Sequence, residues 1–151
     1  MRFLKSDELE ESWNNLIYSP KQLGFASLDL TVKKIFKINS LGSLDFGGTE
    51  YQRSEVQLVN PELKDDPKFG WWTLAKGHYL IEYNEQLHPE NCLAIVFPHQ
   101  RLLMSGCFHS PFIVQPPVDS NSIQGLLIVG SDGIRIKENA RISSAITFMN
   151  K

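Results

Sequence analysis

Long apolar runs are missing from this sequence: no stretch is long and uncharged enough to span a bilayer as a helix. Nothing at the amino end has the basic, apolar and small-residue order of a secretory signal. Cysteine is scarce, with only Cys92 and Cys107, both in apolar surroundings. These absences predict a cytoplasmic protein with reduced thiols and no association with membranes. Two cysteines do not make a zinc motif, and none of the four histidines has a cysteine or second histidine at ligand spacing. A metal site built by the chain alone is not expected. Charge of one sign is not concentrated either: 15 basic residues face 17 acidic ones, a formal charge of −2, with no lysine-rich or arginine-rich run. Non-specific nucleic-acid binding needs such a footprint, so nucleic acid is not an expected partner.

What remains is a chain of 151 residues that is 42% hydrophobic, enough for one core and one domain spanning 1–151. Ser6-Asp7-Glu8 resembles a helix start, and Leu9, Trp13, Leu16 and Ile17 follow at helical spacing. They predict a helix over about 6–18, stopped by Pro20 and laid across the outside of a sheet.

From Gly24 the period changes to two. Leu28, Leu30 and Val32 alternate with Asp29, Thr31 and Lys33, which turns Asp29 off the apolar face of its strand. Further strands are expected at Ile35–Ile38, Glu55–Val59, Tyr79–Tyr83, Cys92–Phe97, Phe112–Val114, Leu126–Val129, Ile134–Lys137 and Ala140–Phe148. Gly47-Gly48 reads as a turn, since no strand-to-helix context makes it a phosphate cradle. Ser131-Asp132-Gly133 reads as a hairpin turn between its flanking strands. Trp71 and Trp72 fall on opposite faces of extended chain, so one is core and the other an exposed or interface aromatic. Many short strands and one early helix predict a mostly-β barrel or sandwich, with the barrel at about 24–148.

The densest stretch is Lys76–Gly106, where a strand, a turn at His88–Asn91 and a buried strand end in a polar loop led by Pro98. Loops held by a rigid sheet are common carriers of binding groups. Of the polar residues, Asp29 reads either as a ligand-binding carboxylate or as an ion-pair partner, for instance of Arg141. His99 and His109 have no carboxylate partner identifiable in sequence and read as loop histidines. Glu82 and Glu85 read as solvated edge charges.

Three segments carry a resemblance. Ala26-Ser27-Leu28-Asp29-Leu30 resembles the first motif of the dUTPase and dCTP deaminase superfamily. Pro98-His99-Gln100-Arg101-Leu102-Leu103-Met104-Ser105-Gly106 has the length and ends of the second, usually P-R-S-S-L-A-R-L-G. Ala140-Arg141-Ile142, followed by Ile146-Thr147-Phe148, looks like the fourth, A-R-I-x-Q-L-x-F. The resemblance implies a β-clip (dUTPase-like) distorted barrel with one N-terminal helix, assembled as a homotrimer that binds a deoxypyrimidine nucleotide, dUTP or dCTP-like, between subunits. It also implies nucleotide-binding roles for Asp29, His99, Gln100, Arg101 and Arg141. No metal is held directly; Mg2+ would ride on the nucleotide and meet Asp29 through water.

The departures bear on activity. In the second motif, His99 stands where the phosphate-side arginine is usual, Gln100 and Arg101 replace the hydroxyl pair, and Met104 replaces the later arginine. Histidine and methionine cannot bind phosphate bidentately as arginine does. For the third motif two alignments stand open. Phe112-Ile113-Val114-Gln115 puts an amide where the water-activating aspartate belongs, and keeps the spacing from Gly106. Val118-Asp119 with Gln124-Gly125 keeps an aspartate, at the cost of one extra residue in the turn. An amide cannot take a proton from water, and losing a general base typically forfeits about 10²–10⁴ in rate.

No carboxylate lies in Leu126–Val129, where the deaminase glutamate is expected, so deamination by the family mechanism is not expected. The glycine-rich fifth motif has no counterpart in these residues. The expectation is a nucleotide-binding protein with weak or lost dUTP diphosphatase activity. The alternatives are a non-catalytic trimeric scaffold or regulatory interaction protein, and an active magnesium-dependent hydrolase with Asp119 as base.

Overall fold

A computed structural model describes residues 1–64, 66–116 and 123–150. In chain order the elements are β1 (Arg2–Phe3), α1 (Ser6–Glu11), β2 (Trp13–Asn14), α2 (Ser19–Gln22), β3 (Leu28–Ile38), β4 (Val56–Val59), β5 (Trp71–Leu74) and β6 (Gly77–Tyr83). There follow β7 (Gln86–Leu87), β8 (Cys92–Pro98), α3 (Gln100–Met104), β9 (Cys107–Phe108), β10 (Phe112–Val114), β11 (Gln124–Val129), β12 (Ile134–Lys137) and β13 (Arg141–Met149). The fold is mostly β: a curled, half-barrel antiparallel sheet in the order β10-β8-β13-β3-β6-β11-β9, with two small ribbons, β12-β5 and β2-β7. Among the described residues no helix is long and apolar enough to cross a membrane.

β3 explains how one sheet curls. Its first residues pair with β13, its later ones with β6 and β4. The sequence suggested an alternating strand over Leu28–Lys33 and a second at Ile35–Ile38; the alternation slips at Lys33-Lys34. The structure keeps one strand and absorbs the slip as a register shift between Val32 and Lys34. One extra residue resets the parity, so Leu28, Leu30, Val32 and Ile35 are all fully buried while both lysines face solvent. The core they form includes Ile81, Tyr83, Ala94, Val96, Leu127 and Ala145 from four neighbouring strands.

Three expectations are corrected. The single amino-terminal helix of about 6–18 is α1, ending at Glu11, followed by a strand and a second short helix. Trp13 decides this: its backbone pairs with Leu87 and its indole N–H donates to Thr147 Oγ1 at 3.0 Å. That cross-sheet bond and the burial of the ring outweigh the local helical spacing. Pro20 does not stop a helix but sits in the first turn of α2, where its missing N–H costs nothing. Finally, β11 and β12 do not form a hairpin. The turn at Gly130–Gly133 carries the chain off the large sheet, and β12 pairs with β5 from Ile134↔Leu74 to Lys137↔Trp71. As expected, Trp72 is buried and Trp71 lies on the other, half-exposed face.

Candidate functional site

The three segments singled out in the sequence converge. Asp29 on β3 lies opposite Ser144 on β13, and the strand alternation that buries Leu28 and Leu30 leaves its carboxylate half-exposed on the other side. Ser144 Oγ donates to Asp29 Oδ1 at 2.7 Å, and Arg141 Nη1 donates to Oδ2 at 3.1 Å and to the Lys21 carbonyl at 3.0 Å. Pro98 ends β8, and His99 begins the turn into α3. There its Nδ1 accepts the Arg101 backbone N–H at 3.0 Å, capping the helix. With Nδ1 an acceptor, the ring proton sits on Nε2, which faces Asp29 Oδ2 at 3.4 Å. Thus His99 has the carboxylate partner that its sequence neighbourhood did not reveal. Gln100 and Arg101 are on the exposed side of α3, and Gly106, at φ +81°, closes that helix in a left-handed conformation suited to glycine.

Gln115 is exposed immediately after β10. Asp119 lies outside the described residues. β10 and β11 flank a cavity of about 380 Å³, lined by Ser110, Phe112, Ile113, Gln124, Gly125 and Leu126 among others. A side chain at Gly125 would meet the Phe112 ring at 2.9 Å, so the close approach of these strands depends on glycine there. No residue lining this cavity belongs to the Asp29 cluster. Among the described residues no group of three or more His, Cys, Asp or Glu side chains could hold a metal ion.

Two buried networks escaped the sequence reading. Glu85 is fully buried, not a solvated edge charge. Its carboxylate accepts from Thr31 N–H at 2.6 Å, Thr31 Oγ at 2.5 Å and Gln22 Nε2 at 3.4 Å. Burial pushes its pKa up to about 7, against the opposite pull of those hydrogen bonds. Gln22 also accepts the backbone N–H groups of Ile17 and Tyr18 and donates to the Asp29 carbonyl at 2.9 Å. The network therefore ties the amino-terminal segment to the backbone of Asp29. The parity of β6 carried the signal: Tyr79, Ile81 and Tyr83 face inward, and Glu85 and Leu87 continue the same alternation.

The second network joins His109, Ser143 and Tyr83. His109 Nδ1 donates to the Ser110 carbonyl at 2.9 Å, so Nε2 accepts from Ser143 Oγ at 2.7 Å, which in turn accepts from Tyr83 OH at 2.6 Å. A serine beside a histidine suggests nucleophilic catalysis, but Ser143 is fully buried and His109 nearly so. The group is structural.

No protein-family model matches the chain. It is 28% identical over 156 residues to a probable deoxyuridine 5'-triphosphate nucleotidohydrolase of Methanosarcina acetivorans, covering 98% of this chain and 88% of that protein. A protein with the same description from Methanosarcina barkeri is 28% identical over 135 residues, covering 89% and 76%. Among solved structures, the 2'-deoxycytidine 5'-triphosphate deaminase of Agrobacterium tumefaciens superposes with a TM-score of 0.67 at 14% identity. That match takes in 99% of this chain, which spans about half (48%) of the deaminase chain.

Proposed function

From the relationship of this chain to the dUTPase and dCTP deaminase superfamily, we propose that it binds a deoxypyrimidine nucleotide at the interfaces of a homotrimer, with weak or lost dUTP diphosphatase activity. The observation that carries the reading is the contact of His99 with Asp29. The residue in the phosphate-side position has a shorter, singly donating ring where a guanidinium fork is usual, and it faces a carboxylate rather than an open anion seat. Arg141 is likewise committed to Asp29 and the Lys21 carbonyl. Only Arg101 is left exposed for phosphate in the second motif. Asp29 already accepts from Ser144 and Arg141, so Mg2+ arriving on a nucleotide would be held by the phosphates and reach Asp29 through water. The trimer follows from that relationship, and in it the β10–β11 cavity of a neighbouring chain would receive the base while Arg101 meets the phosphates.

Sedimentation and thermal unfolding test this. The protein should sediment as three chains, and dUTP or dCTP should raise its Tm as a ligand of the native state does. His99→Arg should tighten nucleotide binding roughly tenfold, since a charge-assisted fork replaces a single donor, while lowering Tm slightly through loss of the α3 cap. A sedimenting monomer would remove the interface site. A trimer that no nucleotide stabilises would favour the scaffold reading, which the exposed Leu41, Leu44 and Phe46 of the loop between β3 and β4 independently support.

A further inference from the structure

The outer face of the large sheet is apolar where a solvated face would be polar. Ile35, Ile81 and Leu127 are buried in the core, so Phe36, Leu80 and Leu126, their alternates in paired register, point outward, with Leu58 opposite Phe36. The loop between β3 and β4 is a built arm beside this face. Ser43 and Gln52 exchange backbone hydrogen bonds at 2.9 and 3.0 Å, which places Leu44 across from Tyr51. Asp45 closes the turn by accepting the N–H groups of Gly48 and Glu50, each at 3.0 Å. Between arm and sheet lies a cavity of about 480 Å³, with Ile38, Val56 and Leu80 from the sheet on one side and Leu44 and Tyr51 from the arm on the other. Of the described residues that line it only Arg53 is charged; Asp45, Glu50 and Glu55 of the same loop do not line it. Arg53 Nη2 donates to Gln124 Oε1 at 3.3 Å, and among the described residues the guanidinium meets no carboxylate.

We propose that this cleft binds an amphipathic carboxylate, an unbranched aliphatic chain carrying one anionic head. The volume suits a small ligand, and the aliphatic walls take the chain. The guanidinium fork takes the carboxylate, whose charge matches the one cation of the lining. A peptide is the poorer fit. Ile38 is paired with Val56, and Leu80 lies between Phe36 and Leu126, so these strands offer no open ladder to a peptide backbone at the base of the cleft. None of the lining residues belongs to the Asp29 cluster or lines the β10–β11 cavity. The site is therefore separate from the nucleotide reading, and touches that cavity only where Arg53 meets Gln124.

Calorimetric titration with hexanoate, octanoate and decanoate, with 1-octanol as the uncharged control, tests the assignment. Affinity is expected to rise about tenfold for each two carbons added, as burial of CH2 groups requires. Arg53→Gln should weaken octanoate at least about threefold and leave 1-octanol unchanged. Leu44 is 88% exposed, so Leu44→Asp leaves the core intact; it should keep the wild-type Tm and weaken decanoate about tenfold or more. Absence of decanoate binding overturns the site, as does an affinity that ignores chain length. Full retention of binding in Leu44→Asp would put the chain elsewhere on the surface, and equal weakening of octanoate and 1-octanol by Arg53→Gln would remove the anionic head. Association of the protein through Leu44 that excludes decanoate would make the cleft an interface between copies and also overturn the proposal. A failure of dUTP or dCTP to stabilise the same protein would touch only the nucleotide reading.

Discussion

Glu85→Ala is expected to destabilise the protein by about 3–5 kcal/mol, because it strips the acceptor from buried donors. The backbone N–H of Thr31 loses the carboxylate it donates to, and so does the Thr31 hydroxyl, which itself accepts from Asn84 at 2.9 Å. Each deserted buried donor costs about 1–3 kcal/mol, and the lost packing adds to that. Glu85→Gln preserves the volume and should cost less.

The pH dependence follows from the same burial. The Glu85 carboxyl is raised from an ordinary 4.5 to about 7 in the folded protein. Its protonated form is thus favoured by folding. The associated stability is fully present below pH 4.5, declines as pH rises, and is gone above about 7, a change of about 3 kcal/mol across the window. His109 works in the opposite direction. Burial lowers its pKa below the ordinary 6.5, so its contribution is present above that value and is lost as pH falls. The Glu85 effect is therefore read as the wild-type stability minus that of Glu85→Gln, by denaturant unfolding at pH 5 and pH 8. The difference should shift toward the variant at pH 8. A difference that does not change with pH would mean that the three donors keep Glu85 ionised throughout.

The second large effect is expected at Ser143. Its hydroxyl is the only link between Tyr83 OH and His109 Nε2 among the described contacts, so Ser143→Ala leaves a phenol and an imidazole nitrogen without partners in the core. A loss of about 2–4 kcal/mol is expected, with Ser143→Cys intermediate because a thiol is a weaker donor and acceptor. The place is tightly built: Phe112 packs against both rings, at centroid separations of 6.2 Å to Tyr83 and 5.6 Å to His109. Burial also raises the Tyr83 pKa, so this tyrosine should stay un-ionised in alkaline spectrophotometric titration until the protein unfolds. A Ser143→Ala variant within about 0.5 kcal/mol of wild type would show that water enters and replaces the hydroxyl.

The strands were legible because their alternation is strong. Tyr79–Tyr83, Cys92–Phe97, Phe112–Val114 and Ile134–Lys137 all appear within a residue or two of the expected limits. Failures came where a tertiary partner overrode a local pattern. Trp13 left its helical spacing for Thr147 on β13, and β12 left its sequence neighbour for β5. No local rule anticipates either, since the competing interaction lies far away in sequence. Glu85 is a different kind of miss. A charged residue type suggested solvent, whereas its parity with Tyr83 pointed inward, and the sheet obeyed parity.

The cluster of Asp29, His99 and Arg141 was legible through motif resemblance, which brought three distant segments to one place. What the residue types could not give was orientation. His99 Nε2 is aimed at Asp29 because its other nitrogen caps α3, a consequence of Pro98 ending β8 just before the helix begins. The β10–β11 cavity, by contrast, follows from pairing. β10 runs against β8 with Phe112↔Val96, while β11 runs against β6, so the two strands face each other without pairing and the cavity lies between them.

The central claim is that the nucleotide-binding architecture outlasts the chemistry. It is tested most directly by pyrophosphate release from dUTP with Mg2+, measured on the purified protein at nucleotide concentrations that raise its Tm. Enzymes ordinarily turn over at about 1–10³ s⁻¹, and loss of the base alone removes on the order of 10²–10⁴. The expected result is release at least a hundredfold below that ordinary range, unaltered by Asp119→Asn. Rapid release that Asp119→Asn abolishes would contradict it.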